Sequence, residues 1–565
     1  MALKSRVWPT SQVLLLLPFP MDKHRVILVG THRSFQPQRD RIAPVRSDKE
    51  ITVTVTLRGK DDSNLSPLRS LARVPVKERR HLTVDQTIRA FSHAPKDELA
   101  IRRFAREYHL HCTNSGSEAA SMQLRGTLGQ FNRAFGVRLF HYRESKYDSK
   151  YHAHEGEVTL PAYLEQVVTG VFGLDRHPAG RRPGLSHRMS ALGIPPPPVT
   201  AKTRKPAEFA LLYNFPPAAL GRGQSIGLLE FGGGFRHREL NSYFASLGAG
   251  PPRILVKEVP PAINQPRGKR GTLNPDTEVY LDIEVAASLA PQALIVVYFG
   301  ENTEQGWLRT LQAAILDKSH DLSVISISWG QAELEWSPKA LVEIDRLFQM
   351  AAHRGITICC SSGDNGISEL SGHPFTVAFP ASSPHVLACG GTRLEVKRSG
   401  AREETVWNQW RQFKLASGGG VSNVFPLPPY QETVKMPSSR SNKRDGGRGI
   451  PDVSANASSD TGYLIEADNT RMSMGGTSAA SPLWAALIAR LNEVLETKIG
   501  FLTPLLYEMN GTAVGAVWDI VNGFNGPTRT RGYRARRGWD ACTGLGSPDG
   551  EKILDWLMSQ KDKKR

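Results

Sequence analysis

Met474-Gly475-Gly476-Thr477-Ser478-Ala479-Ala480-Ser481-Pro482 opens a segment in which Leu483, Leu487, Leu491 and Leu495 recur every four residues. That spacing puts the leucines on one face of a helix. Ser478 then stands at the helix start, its hydroxyl at the positive end of the helix dipole, on a glycine turn that a substrate backbone can approach closely. A nucleophile elbow requires this arrangement. The competing reading of a lone Gly-Thr-Ser is a helix cap behind a glycine turn, so the rest of the chain must supply a base and an oxyanion partner.

Upstream of this turn, apolar runs at 225–229, 293–299, 322–328 and 356–361 alternate with helical stretches, the pattern of a parallel α/β sheet. Ligands bind such sheets beyond the carboxyl ends of the strands. Three residues fall at those exits: Glu230 in Leu229-Glu230-Phe231-Gly232, Trp329 in Ser326-Ile327-Ser328-Trp329-Gly330, and Asp364 in Ser361-Ser362-Gly363-Asp364. Asn274-Pro275-Asp276-Thr277-Glu278 begins a further helix with proline suited to its first turn. Glu278 and Asp282 are one turn apart and share a face. Two like charges at that spacing are unfavourable on an exposed helix, so the pair needs a solvent role or a shared proton.

Before the sheet, 51–57 (Ile-Thr-Val-Thr-Val-Thr-Leu) alternates as a half-buried strand, and Thr83 to Gln86 has capping-box spacing. A second helix carries Ile101, Phe104, Ala105 and Tyr108 on one face, and 160–172 reads as helical. These segments define a small α+β domain over 46–175, behind an irregular extension, 1–45. Residues 176–205, with Arg181-Arg182-Pro183 and Pro195 to Pro198, lack periodicity and read as an exposed linker open to proteolysis. The remainder, 206–560, is the α/β domain.

The 71 Lys+Arg against 54 Asp+Glu give a formal charge of +17, which raises nucleic acid as a partner. The basic residues are dispersed through loops without interleaved aromatics, so they read as solvated surface and no specific nucleic-acid site is expected. Five cysteines (Cys112, Cys359, Cys360, Cys389, Cys542) are too few and too irregular for a disulfide framework or a zinc site; Cys359 and Cys360 read as core thiols. The apolar run 13–17, broken by Pro18 and Pro20, is short for a signal-peptide core, and Met21 is an alternative start. No stretch is long enough to cross a bilayer.

A helix-start serine, a same-face Glu/Asp pair and an aspartate at a strand exit form a coherent set in acid. Near pH 4 a histidine of pKa about 6.5 is protonated and cannot act as a base, whereas a glutamate of about 4.3 is poised. A buried aspartate can meanwhile stay protonated and donate to an oxyanion. No histidine sits in a comparable motif; His32 in Gly30-Thr31-His32 is the weak candidate.

From about Ile51 to about Leu557 the chain resembles the sedolisins, or serine-carboxyl peptidases, and is especially similar to their kumamolisin-like branch. The resemblance is carried by Leu228-Leu229-Glu230-Phe231-Gly232-Gly233-Gly234, the Glu278/Asp282 helix, 324–330, Ser362-Gly363-Asp364, Ala388-Cys389-Gly390-Gly391-Thr392, Ser417-Gly418-Gly419-Gly420, Pro451-Asp452-Val453 and Gly475-Gly476-Thr477-Ser478. It implies a subtilisin-like parallel-sheet catalytic domain behind a ferredoxin-like activation prodomain that acts as intramolecular inhibitor. It implies Ser478 as nucleophile, Glu278 as general base, Asp282 as its support and Asp364 as protonated oxyanion donor, with Glu230 and Trp329 extending the network behind Glu278. Asp519-Ile520 and Gly538-Trp539-Asp540 match the family's calcium loop, implying one structural Ca2+ on the Asp519 and Asp540 side chains and the carbonyls of Ile520, Arg536 and Gly538. The family usually has glycine where this chain has Arg536. The expectation is a secreted, monomeric acid endopeptidase made as a zymogen and acting on proteins or peptides. Two alternatives stay open: a neutral-pH subtilisin-like protease, which needs a histidine, and a non-enzymatic basic binding protein that retains the fold.

Overall fold

A computed structural model describes residues 24–560 except 34–39, 61–67, 114–119, 145–148, 181–188, 190–192, 270, 272, 371–372, 374, 438–445 and 511–514. The apolar run 13–17, Met21 and the Arg181-Arg182-Pro183 stretch lie outside the described residues.

The N-terminal unit is built on an antiparallel sheet in the order His111–Cys112, Ser121–Thr127, Glu50–Leu57, Val168–Phe172. With helices Pro95–Glu107 and Leu128–Phe135, the connectivity is βαββαβ, the ferredoxin-like arrangement. Thr83 closes the expected capping box with Gln86, and Ile101, Phe104 and Ala105 are buried against the sheet. Two expectations fail here. The 160–172 segment is not a helix but strand Thr159–Pro161, a short 3-10 turn and strand Val168–Phe172. Its β-branched Val168, Thr169 and Val171 favour the pleat, and pairing with Glu50–Leu57 outweighs the weak helical spacing. Part of the stretch read as irregular also joins the fold: Arg25–Ile27 pairs with Thr159–Pro161, and Asp40–Pro44 pairs with Arg138–Glu144.

In the C-terminal unit an eight-stranded sheet carries the fold. Its strands are β1 (Ser225–Glu230), β2 (Arg253–Glu258), β3 (Leu294–Phe299), β4 (Val324–Ile327), β5 (Thr357–Ser361), β6 (Leu387–Val396), β7 (Arg402–Val406) and β8 (Val453–Asn456). The order is β2-β3-β1-β4-β5-β6-β7, with β8 also on β6. All pairings are parallel except β6 with β7. Because β2 and β3 lie on one side of β1 and β4 and β5 on the other, the order reverses between β1 and β4, which opens a crevice at their carboxyl ends.

Two helices pack against the sheet beside that crevice, α1 (Pro275–Leu289) and α2 (Thr477–Leu495). Both are buried nearly all round, so each behaves as a core element rather than a surface amphipath. They pack on one another, and α2 also lies along β4, β5 and β8. Ser481 fixes α2 to the sheet, its Oγ 2.8 Å from Ser326 Oγ and donating to the Cys359 carbonyl at 3.1 Å. Cys359 and Cys360 are buried free thiols, as read from sequence. No helix among the described residues is long and apolar enough to cross a membrane.

The two units dock through directed hydrogen bonds. Gln305 donates to the Thr52 carbonyl and Thr54 hydroxyl at 3.0 Å each, Arg354 to the Leu82 carbonyl at 2.8 Å, and Arg79 to the Ile499 carbonyl at 2.6 Å. The connecting segment is less exposed than its composition suggests: His177, Ala179, Met189 and Pro197 are buried.

Candidate active site

Gly476 holds a left-handed φ of +92° immediately before α2, and a Cβ there would stand 2.8 Å from Asp364 Oδ2. A Cβ on Gly475 would strike the Ala457 carbonyl oxygen at 2.2 Å. Both positions therefore exclude a side chain, and the turn delivers Thr477 and Ser478 as the first residues of the helix. Pro482 lies four residues after Ser478 and has no N–H to bond its carbonyl. The Ser328 hydroxyl makes that contact instead, at 3.3 Å.

Ser328 also donates to Asp282 Oδ1 at 2.8 Å, so one hydroxyl at the exit of β4 joins the α1 carboxylate to the start of α2. Behind it the Trp329 indole donates to Glu230 Oε2 at 2.9 Å, with Trp329 edge-on to Phe231. Glu230, Glu278, Asp282 and Ser478 are all buried. Burial and the neighbouring Glu278 charge hold the Glu230 carboxyl well above the ordinary carboxylate range, against the opposing indole bond. Burial and the Glu230 charge do the same to Asp282, against the Ser328 bond. Closely spaced carboxyls out of water cannot all ionise, so the cluster retains protons.

The helix that presents Glu278 is fixed at its start. Asn274 caps α1 by accepting from the Asp276 N–H at 2.7 Å, and Asp276 Oδ2 takes the backbone N–H groups of Arg267 and Gly268 at 2.7 and 2.5 Å. On the other side of Ser478, Asp364 Oδ1 accepts from both the N–H and the hydroxyl of Thr477 at 2.8 Å, and Thr477 Oγ1 accepts from the Gly363 N–H at 3.2 Å. Its second oxygen lies against Gly476.

The structure thus brings together Ser478, Glu278, Asp282, Asp364, Glu230 and Trp329 from five separate stretches. His32 is elsewhere, in the N-terminal unit, 3.2 Å from the Gly156 carbonyl and 3.7 Å from Glu157. Sequence reasoning missed Ser328 and Thr477 as working side chains. Both were in quoted motifs, but a hydroxyl bridging two elements has no periodic signature. The chain before the site also bears on it. The Pro197 carbonyl accepts from Ser473 N–H at 3.0 Å, and Arg204 exchanges bonds of 2.9 and 2.7 Å with Gly462 and Leu464. Residues 197–204 therefore run along the hairpin Tyr463–Ala467/Thr470–Met474 that feeds the Ser478 turn.

A second cluster lies in the C-terminal loops. Asp519 Oδ2 accepts from the Gly538 N–H at 2.9 Å, joining the two loops that carry the expected cation ligands. Asp540 accepts from the N–H groups of Cys542, Thr543 and Arg536 at 2.8, 3.0 and 3.1 Å. Burial pushes Asp540 up to about 6, against the opposing backbone N–H groups of Cys542, Arg536 and Thr543 and the Thr543 hydroxyl. Arg536 has a negative φ, so arginine in place of glycine is no backbone obstacle there. Its guanidinium turns onto the carbonyls of Trp539 and Lys435. Among the described residues no group of three or more His, Cys, Asp or Glu is placed to hold a metal. A cation here would rest on two carboxylates and backbone carbonyls, a donor set that suits calcium.

The parallel sheet with a buried helix-start serine places the chain among proteins of subtilisin-like fold, and residues 273–505 match the family model for the subtilase family. Residues 37–177 match that for the pro-kumamolisin activation domain. The chain is 39% identical over 551 residues to kumamolisin of Bacillus sp. (strain MN-32), covering 96% of this chain and 98% of that protein. It is 30% identical to sedolisin of Pseudomonas sp. (strain 101), over 77% of this chain and 74% of that one. The solved structure of Pseudomonas sedolisin, a serine-carboxyl proteinase, superposes with a TM-score of 0.57 at 29% identity, covering 64% of this chain and all of the other. The chain belongs to the sedolisin family of serine-carboxyl peptidases and carries a kumamolisin-type activation domain.

Proposed function

We propose that the chain is the zymogen of an acid-active endopeptidase. In this reading Ser478 attacks the scissile carbonyl while Glu278, ionised near pH 4, takes its proton. Asp282 supports the charge of Glu278, and Glu230 with Trp329 holds the carboxyl network behind it. Asp364, protonated on the oxygen facing Gly476, donates to the developing oxyanion. Glu278 then returns its proton to the leaving amine, and water, activated by the same carboxylate, hydrolyses the acyl-enzyme.

One observation carries this reading: the helix packed against the Ser478 helix presents buried carboxyls, while the candidate histidine sits in another unit. Residues 46–175 act as inhibitory prodomain, 176–205 as the linker cut on maturation, and 206–560 as the peptidase. The bonds of 197–204 beside the Ser478 turn support inhibition by the linker as well as by the prodomain. The mature enzyme is monomeric, works outside the cytoplasm and takes unfolded proteins or peptides as substrate. The test is acid treatment of the purified chain followed by assay on an unfolded protein; a chain that stays inactive after losing its prodomain would overturn the reading.

One Ca2+ on Asp519, Asp540 and the carbonyls of Ile520, Arg536 and Gly538 would neutralise the two carboxylates and tie the C-terminal loops to the core. Removing calcium with a chelator should lower the melting temperature by several degrees. A ligand at about a hundred times its Kd contributes about 2.7 kcal/mol, and with about 2.1 cal/mol/K of unfolding entropy per residue about 1 kcal/mol moves a domain as large as 206–560 by about 1–2 °C. Asp540→Ala should start low and ignore the chelator. A wild-type melting point that responds to neither calcium nor chelator would remove the metal from the account.

A further inference from the structure

Residues 76–82 form a strap by which the N-terminal unit holds the catalytic unit. Val76 is buried in the apolar core of the catalytic unit, and the buried Arg79 donates to the carbonyls of Ile499 and Phe501 at 2.6 and 3.2 Å. Leu82 is held from both sides: its N–H donates to the His353 carbonyl at 2.8 Å, and its carbonyl accepts from Arg354 at 2.8 Å. Between these anchors the His81 ring sits against Gly355 and Gly500, where a Cβ would stand 2.6 and 3.0 Å from it. His353 ends the helix Pro338–His353 and turns its ring toward Phe91 of the N-terminal unit, with 5.8 Å between ring centroids.

This seat is cationic. Arg79, Lys498 and Arg354 all face His81. The carboxylates beside them are already engaged: Asp321 lies 2.6 Å from Lys498 and 3.2 Å from Arg354, and the Glu508 charge acts on Arg79. His353 is faced by His81 and by His385, which is held by Asp345 at 2.9 Å. His81 Nε2 lies 2.9 Å from the Lys498 carbonyl. A carbonyl only accepts, so Nε2 carries the proton of the neutral ring and Nδ1 the bare lone pair. That Nδ1 is buried and has no hydrogen-bond partner among the described residues. A proton added there becomes a buried charged donor with no acceptor, beside Arg79, Lys498 and Arg354.

We propose that His81 and His353 form a proton-operated latch between the two units: neutral, they let the strap dock; protonated, they drive it off the catalytic unit. Burial, then the charges of Arg79, Lys498 and Arg354, hold the His81 imidazole below its ordinary range, against the Lys498 carbonyl bond. Burial, then His385 and His81, press His353 down to about 4. Off the interface each ring returns toward about 6.5. Below that pH the undocked surfaces bind more protons than the docked ones. Docking is therefore at full strength above about pH 6.5 and weakens as the pH falls toward about 4. The carboxylates at this interface do not share that window. The Lys318 bond holds exposed Asp85 below the ordinary carboxylate range, and, against burial, Lys498 and Arg354 do the same to Asp321. The regulatory consequence, release of an inhibitor in acid, rests on the reading of 46–175 as prodomain; the latch itself does not.

The test is hydrogen exchange on full-length Ser478→Ala protein, so that self-cleavage does not intrude. Protection of the Leu82 amide, bonded across the interface, is followed from about pH 7.5 to about pH 4 after correction for the intrinsic exchange rate. A ring that moves from about 4 to about 6.5 on release weakens docking about a hundredfold at pH 4, and protection should fall on that scale. The double variant His81→Gln/His353→Gln, whose amide at 81 can still donate to the Lys498 carbonyl, should keep its neutral-pH protection in acid. The latch is overturned if the parent's protection does not change with pH, or if the double variant loses protection as the parent does. Should the double variant lack protection already at neutral pH, the parent's imidazole resonances decide. A His353 ring titrating near 4 in the docked protein supports the latch, and one titrating near 6.5 overturns it. A wild-type chain inactive in acid but with the expected loss of protection would instead count against the peptidase reading and leave the latch standing.

Discussion

Ser478→Ala protein taken to about pH 4 remains full length, whereas the wild-type chain is cut within 176–205. The expected loss of turnover is about 10^6-fold, the scale on which removing a serine nucleophile acts in other serine peptidases. The substitution is structurally mild. Ser478 is fully buried, its Oγ has no hydrogen-bond partner among the described residues, and alanine favours the helix it begins. The carbonyl contact to Ser328 survives because it is backbone on that side. A normal melting curve with absent self-cleavage, read by intact mass and N-terminal sequencing, is therefore the predicted pair of results. Self-cleavage at the wild-type rate would mean that another nucleophile or a contaminant does the work.

Asp364→Ala should lower kcat by about 10^2–10^3, or about 2.7–4 kcal/mol, the range for deleting one oxyanion donor. KM should change little, because the interaction is made with charge that develops in the transition state. The same side chain also holds the N–H and hydroxyl of Thr477, so alanine leaves those donors to rearrange. Asp364→Asn separates the two roles. Its amide oxygen can keep both Thr477 bonds while its NH2 group occupies the place of the acidic proton. Asparagine should recover part of the lost turnover and donate without needing protonation, so its activity should fall less steeply as pH rises. Equal kcat in wild type and Asp364→Ala would remove Asp364 from the oxyanion site.

Much of this site is legible in the sequence because each part sits on a strong local signal. Gly475 and Gly476 are forced by contacts with Ala457 and Asp364, so the turn before Ser478 is written in residues that tolerate no replacement. Glu278 and Asp282 are one helical turn apart behind an asparagine cap and a proline, which fixes both the helix and its register. Glu230 ends β1 and Trp329 follows β4 by two residues, at the strands on either side of the topological switch. What the sequence hides is what only assembly decides. The strand Val168–Phe172 becomes a strand by pairing with Glu50–Leu57, over a hundred residues away. Residues 25–27 and 40–44, without periodicity of their own, are captured by partners at 159–161 and 138–144. Ser328 acquires its role only when α1 and α2 meet over β4.

The claim at the centre of the account is that a carboxylate, not a histidine, serves Ser478 as base. The kcat/KM–pH profile of the mature protein on a peptide substrate addresses it most directly. A glutamate base paired with a protonated aspartate predicts a maximum in the acid range, near pH 4, with activity falling as the pH approaches neutrality. A rate that instead climbs through about pH 6.5 to a neutral plateau would be the signature of a histidine base, and would contradict the account.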